Sequence, residues 1–266
     1  MIKSLTHSIE DYPEGIVLPI DKPYRWTSAD VIRKVKFAAC RHFCKKNLKV
    51  GHAGTLDPLA TGILLVCLGP ATKSAETLQA SAKEYIAGIT FGATTPSYDL
   101  EKDIDRRFPL EGVDAKSIAG ALRSFVGEQM QVAPLFSAKS VDGVRAYETA
   151  RRLYREGRLE AGDELIRPCR IEIYDLELLS FGYEPFPRPE ESGGRINVAD
   201  ISGESLPTAL VRVACSKGTY IRAFARDLGE ALGSGAFLSS LRRTRNGGFD
   251  IGDSMSLQDT LDLLSR

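Results

Sequence analysis

GHAGTLDPLATGILLVCLGPATK, residues Gly51 to Lys73, holds one carboxylate, Asp57, in a turn punctuated by Gly51, Gly54 and Pro58. Glycine opens backbone conformations closed to other residues and proline fixes φ, so such a turn is irregular yet rigid. Thr61 and Gly62 then lead into the apolar run Ile63 to Leu68, which reads as a packed element that keeps the acid in place. A lone carboxylate at the rim of a buried strand suits a nucleophile or general base. Asp before Pro also initiates turns, so the reading depends on partners elsewhere in the chain. Lys73 closes the segment, Tyr85 opens the next strand, and Tyr220 with Arg222 stands where a strand passes into a helix. An arginine near a catalytic carboxylate keeps it ionised and oriented through charge-assisted hydrogen bonds.

Working outward, Ile16 to Ile20 is a short strand ending in Asp21-Lys22-Pro23. Thr27 and Ser28 offer an N-cap, with Asp30 placed to bond back, for a helix whose Val31, Val35 and Ala38 or Ala39 share one face. The opposite face is basic. Tyr85 to Phe91 alternates and predicts a strand with one packed face. Ala115 to Val126 and Arg145 to Glu156 read as helices, with Gly157 a left-handed stop for the second. Arg170 to Phe181 and Thr208 to Cys215 alternate as strands, the latter with Ala209, Val211, Val213 and Cys215 on one side. Between them, Tyr183 to Pro207 is rich in Pro, Gly, Glu and Ser and reads as an exposed excursion. Ile221 to Leu232 is a helix, Phe237 to Thr244 a strand, Asn246-Gly247-Gly248 a tight turn, and Ser256 to Leu264 a short amphipathic helix. Without repeats or regular βαβ alternation, the class is α+β.

Composition narrows the function. The 266 residues, 43% hydrophobic, can bury a real core as one large domain or two modest ones. The longest apolar runs are too short to span a bilayer and Met1 to Pro19 lacks an apolar signal core, so a cytoplasmic location without membrane contact is expected. Five cysteines, at 40, 44, 67, 169 and 215, fit reduced thiols. Cys40-Arg41-His42-Phe43-Cys44 lacks the second ligand pair of a structural zinc site, and GPATKS lacks the first glycine of a P-loop, so neither metal binding nor nucleotide hydrolysis is expected. Basic and acidic residues balance at 35 each, but from Arg33 to Lys49 seven cations occur without an acid. Further basic clusters lie at Arg145 to Arg158 and at Arg242, Arg243 and Arg245; any one alone reads as a solvated face, while the three, interleaved with Tyr147, Tyr154 and Tyr220, read equally well as a polyanion surface.

The Gly51 to Lys73 run closely resembles the catalytic motif of the tRNA pseudouridine-55 synthases, the TruB family. So do Asp21-Lys22-Pro23 with Thr27-Ser28, Lys83-Glu84-Tyr85, QVAPLFSAKSVDGVRAYETAR from Gln131, CSKGTYIRAFARDLG from Cys215, and LRRTRNGGF from Leu241. Six motifs stand in order between Gly15 and Ile251. The resemblance implies a pseudouridine synthase fold, with a mixed, mostly antiparallel central sheet flanked by helices and an active-site cleft across it. It implies a catalytic domain over residues 1–252, with 183–207 as an exposed insertion, and a short tail over 253–266 without a separate PUA domain. The implied reaction isomerises the T-loop uridine of tRNA, uridine 55, to pseudouridine without a cofactor. By match to the motifs Asp57 is the catalytic carboxylate, Tyr85 the tyrosine stacked on uracil, and Arg222 the arginine paired with the carboxylate. Tyr220 matches a substrate contact, Leu241 an apolar wall, Lys73 an RNA contact, and His52 the residue that enters the T-loop where the base is flipped out. The partner is the T-arm of tRNA, the expected state a monomer, and a tRNA-folding role a possible second activity. Two departures bear on loop shape: Arg25 stands where a glycine is usual, and Ala133 replaces one of two prolines.

Overall fold

The computed structural model describes residues 4–137, 140–141, 144–156, 166–188 and 196–265. The expected stop at Gly157, Arg158 of the second basic cluster, and the middle of the 183–207 excursion lie outside the described residues. In chain order the first elements are β1 (Ile16–Lys22), α1 (Ser28–His42), β2 (Val50–His52), β3 (Ala60–Leu68), α2 (Ala75–Ala80), β4 (Lys83–Phe91), β5 (Ala93–Thr94) and β6 (Arg106–Arg107). There follow α3 (Ala115–Ser124), β7 (Gly127–Gln131), β8 (Ser140–Val141), β9 (Val144–Arg145), α4 (Ala146–Arg155), β10 (Cys169–Gly182) and β11 (Thr208–Cys215). The last are α5 (Ile221–Ala231), β12 (Ala236–Asn246), β13 (Phe249–Asp250), β14 (Met255–Ser256) and α6 (Leu257–Leu263). Among the described residues no helix is long and apolar enough to cross a membrane.

The chain divides into two compact units, one from residues 1–85, 194–196 and 241–266, the other from 86–193 and 197–240. Strands β4 and β12 each contribute residues to both units. In the first unit the strand order is β14-β1-β3-β12, with β2 also on β3 and β13 on β12. Strand β3 is antiparallel to β1, from Ile16 opposite Leu68 to Lys22 opposite Gly62, and parallel to β12, with Leu241 opposite Ala60. Flanked by paired strands and covered on its faces, β3 is almost wholly buried, which is why it reads as a continuous apolar run rather than an alternating one. Helix α1 lays Val31, Val35 and Ala39 on this sheet beside Leu18, Ile20, Leu64 and Val66, and Leu257, Leu263 and Leu264 close the same core. Each buried Val, Leu or Ile side chain among these contributes about 2 kcal/mol. Thr27 and Asp30 form a full capping box: Thr27 Oγ1 accepts from the Asp30 amide at 3.0 Å and the Thr27 amide donates to Asp30 at 3.2 Å. Asn246 pairs with Phe249 across Gly247, at φ 60°, making the tight turn expected there.

One glycine decides the local register. Gly62 has φ 100°, and a Cβ there would lie 2.1 Å from the Arg243 carbonyl oxygen. Gly62→Ala is therefore expected to cost more than about 2 kcal/mol, because the strain and the backbone clash add. Urea unfolding with a midpoint matching the wild type would show that β3 and β12 do not approach this closely.

The second unit has the order β12-β4-β11-β10-β7. Both β10–β11 and β10–β7 pairs are antiparallel, and β10 is bulged twice against β11. Ala209, Val211, Val213 and Cys215 are all buried, as their alternation predicts. Helix α5 buries Phe224, Ala225 and Leu228. Two expectations need correction. Strand β4 does not keep one open face, since residues from Ala87 to Phe91 are all buried. Its small polar members are covered too: Thr90 bonds Thr208 at 2.8 Å, and Gly88 lies so close to Ser240 that a Cβ would be 2.4 Å from its hydroxyl. The excursion is not exposed throughout either. Its return limb buries Ala199, Ile201 and Leu206, and the Ala199 amide donates to the Leu100 carbonyl at 2.8 Å. Three spaced apolar side chains bind this limb down, although the excursion as a whole is rich in Pro, Gly, Glu and Ser.

Candidate active site

Asp57 lies half-buried in the loop between β2 and β3. Its carbonyl accepts the Ala60 amide at 3.1 Å, which closes a turn across Pro58. Ser28 brackets the preceding residue, donating to the Leu56 carbonyl at 3.0 Å and accepting its amide at 2.9 Å. Two buried cations hold the rest. Lys22, fully buried, donates to the carbonyls of Pro23, Trp26 and Pro58 at 2.9, 2.6 and 3.1 Å. Arg243, 1% exposed, donates to Ile63 at 2.7 Å, Gly54 at 3.2 Å and Thr55 at 3.4 Å. Asn246 adds a bond to the Ala53 carbonyl at 3.2 Å. A loop lacking regular structure thus has its carbonyls satisfied by side chains rather than by water, which keeps it rigid.

Asp21 completes the role of the Asp-Lys-Pro motif. It accepts the Gly62 amide at 3.0 Å and pairs with Arg242 at 2.7 Å, tying β1 to the strand start just after Asp57. Arg25, where a glycine is usual, takes the left-handed φ of 62°. That conformation costs about 1 kcal/mol or more for a side-chain-bearing residue. Two bonds from its guanidinium to the Ile196 carbonyl, at 3.1 and 2.9 Å, offset the cost and hold that residue in the first unit.

Lys22 has its pKa pushed down from 10.5 to about 8, chiefly by burial, with the Asp57 carboxylate acting in the opposite direction. Between about pH 8 and 10.5 the unfolded chain binds a proton that the folded chain has released, so stability rises with pH across that window. Relative to Lys22→Met, the wild type is expected to gain up to about 3 kcal/mol over this range. Urea titrations of both proteins at several pH values measure the difference, and parallel curves would refute it.

The other residues marked by the motifs divide between the two units. Leu241, opposite Ala60, stands on β12 next to β3, and Tyr85 stands on β4, one strand further across; both belong to the first unit and are buried. His52, half-buried on β2, pairs with Val66 of β3 in the same unit. It is not a satisfied structural histidine, since its buried Nδ1 has no hydrogen-bond partner among the described residues. Burial and then the Arg243 charge lower its pKa, so the ring is neutral at pH 7. Lys73 is not near Asp57: it is exposed on the turn Gly69–Ser74, which follows the opposite end of β3.

Arg222 and Tyr220 belong to the second unit. The Arg222 guanidinium, 6% exposed, donates to the Ser97 carbonyl at 3.1 Å and pairs with Asp99 at 3.6 Å. Asp99 in turn accepts from the Ser97 hydroxyl at 2.6 Å and the Glu101 amide at 3.0 Å. Tyr220 is the N-cap of α5, and Gln131 clamps its backbone, accepting the amide at 2.9 Å and donating to the carbonyl at 3.2 Å. Sequence reasoning gave no role to Lys22, Arg243, Asp99 or Gln131. Lys22 had a signal in its motif, whereas Arg243 read as part of a solvated basic cluster and is instead buried. Among the described residues no cluster of His, Cys, Asp and Glu is arranged to hold a metal, and the five cysteines are free thiols.

Residues 41–221 match the N-terminal domain of the TruB family pseudouridylate synthases, and residues 222–266 match the tRNA pseudouridylate synthase B C-terminal domain. The tRNA pseudouridine synthase B of Phocaeicola vulgatus is 44% identical over 256 residues, covering 96% of each chain. That of Bacteroides fragilis is 46% identical over 238 residues, 89% of this chain and 88% of its own. Among solved structures, a chain of a Cbf5-Nop10-Gar1 complex is similar with a TM-score of 0.61 at 29% identity, covering 96% of this chain and 56% of that one. The present chain therefore spans little more than half of that solved chain. The α+β architecture and its mostly antiparallel strands agree with this likeness. With two domain matches running on from residue 41 to residue 266, and relatives this similar over most of their length, the chain belongs to the TruB family of pseudouridylate synthases.

Proposed function

We propose that this protein converts the T-loop uridine of tRNA, uridine 55, to pseudouridine, with Asp57 as the catalytic carboxylate. The observation that carries the reading is the Asp57 loop, whose backbone is fastened by Lys22, Arg243, Ser28 and Asn246. So much fastening of a short irregular loop is what a reacting carboxylate needs to keep its geometry. In the reaction the bond from ribose C1′ to uracil N1 breaks, the base turns, and C1′ joins C5. The C5 proton leaves and N1 gains one, so atoms and electrons balance and no cofactor is consumed. A uracil stacked in the T-loop must leave its stack to reach a half-buried acid, which requires base flipping.

Roles for the remaining residues follow the family motifs. Tyr85 stacks on the flipped uracil, Leu241 forms an apolar wall, and Arg222 serves as the motif's arginine partner of the carboxylate. Tyr220 contacts the substrate and Lys73 an RNA phosphate. His52, neutral and with an unpartnered ring nitrogen, fills the space the base vacates. The protein acts as a cytoplasmic monomer on the T-arm, and a tRNA-folding activity accompanies the chemistry. Mass-spectrometric mapping of a tRNA transcript incubated with purified protein alone tests the reading. Pseudouridine at the T-loop uridine is expected; product at another uridine, or none, would overturn it.

A further inference from the structure

At the end of β3 remote from Asp57, Lys45, Lys49 and Lys73 line a pocket of about 380 Å³ with Ile9 and Leu48 on its walls. Lys45 is paired with Glu10 at 2.7 Å, the one carboxylate among the described residues that line the pocket. Lys49 and Lys73 are exposed, and no carboxylate among the described residues pairs with either. The basic surface continues from there onto α1. Its last turn delivers Lys45 directly, through the Lys45 amide bonded to the Cys40 carbonyl at 3.0 Å. At 100° per residue, Arg33, Lys34, Lys36, Phe37 and Arg41 share one side of the helix, and all five are exposed. Arg33 is tied to Asp30, but Lys34, Lys36 and Arg41 have no acidic partner among the described residues. In their midst Phe37 is 66% exposed, with the Arg41 guanidinium 5.6 Å from its ring centre.

We propose that this band, the lysine-lined pocket and the outward face of α1 together, binds backbone phosphates of the RNA beyond the reacting loop. Unpaired cations held in a row within one compact unit repel one another, and a polyanion relieves that repulsion while releasing its own counterions. A protein partner would need matching acids and a broad apolar area, whereas among the described residues Phe37 is the one large apolar group exposed on this face. The spacing agrees with a long ligand: nine residues of β3 span roughly 26 Å, too far for the nucleotide at Asp57 to touch the pocket itself. The proposal rests on the RNA-modifying reading above and adds where the remainder of the substrate lies.

The test is the full chain carrying Lys36→Glu, Arg41→Glu and Lys49→Glu together, assayed on full-length tRNA and on a short T-arm hairpin. For full-length tRNA the KM is expected to rise about tenfold or more, and the salt slope of binding to fall by about 2 to 3, one per lost phosphate contact. The hairpin should lose less, and the charge-preserving set Lys36→Arg, Arg41→Lys and Lys49→Arg should behave as wild type. Unchanged KM and salt slope overturn the proposal, as does a loss confined to kcat, which would mark a structural effect. Weakened binding of uridine monophosphate with tRNA binding intact would assign the pocket to free nucleotides and overturn it too. If the wild type forms no pseudouridine, the functional reading fails, while the salt slope of tRNA binding still judges the surface.

Discussion

Asp57→Asn is expected to lower pseudouridine formation by about 10⁴-fold or more, the scale of losing a nucleophile or general base. The substitution keeps the shape of the side chain and removes only its charge. The bonds that fasten the loop fall on the carbonyls of Ala53, Gly54, Thr55, Leu56 and Pro58, and those carbonyls are untouched. The fold should therefore survive, with a urea midpoint near wild type. The Lys22 pKa should move further below about 8, because the carboxylate that counteracts its burial is gone. Single-turnover assays on a T-arm transcript measure the rate. Activity within tenfold of wild type would remove Asp57 from the chemistry, whereas a collapsed fold would show that the acid is structural.

Arg222→Ala should reduce turnover by about 10²-fold to 10³-fold, the range seen when one electrostatic contact to the reacting groups is removed. Asp99 gives this prediction a graded companion. It is the ion-pair partner of Arg222 within the second unit, and both side chains are almost completely buried. Asp99→Ala leaves the guanidinium charged and still bonded to the Ser97 carbonyl, so a smaller loss of turnover is expected, together with reduced stability. Breaking such a pair by removing one member costs about 3 kcal/mol or more, since the remaining charge stays buried. Because the two residues share one network, the double variant should lose less than the product of the single losses. Independent, multiplying effects would separate Asp99 from Arg222, and normal turnover in Arg222→Ala would dismiss the arginine.

Much of the architecture could be read before any coordinates. The capping box of α1 lies within four residues, Thr27 to Asp30, and the turn at Asn246 to Phe249 within four more. Strand β11 announced its buried side by strict alternation, and its ends match the expected range, Thr208–Cys215. The motif around Asp57 was legible for the same reason: glycine, proline and one acid constrain a turn through local stereochemistry. Misreadings came where a residue's environment is set from a distance. Strand β4 loses its open face because Thr208 and Ser240 cover it, and the return limb of the excursion is buried by chain far from it in sequence.

The deepest difference concerns charge. In composition Lys22 and Arg243 are two cations among 35, indistinguishable from solvated ones. Folded, they are buried pins whose partners are backbone carbonyls, Lys22 reaching one 36 positions away and Arg243 others 180 to 189 away. Every residue except proline carries the same two backbone hydrogen-bonding groups and proline still carries the acceptor, so nothing in the letters marks a carbonyl as the one a buried ammonium will find. Residue types, local turns, caps and periodicities are properties of short stretches, and those the chain declares openly. Which cations are taken out of water, and which carbonyls receive them, depends on how β1, β3 and β12 come together, and that assembly is what holds Asp57 ready.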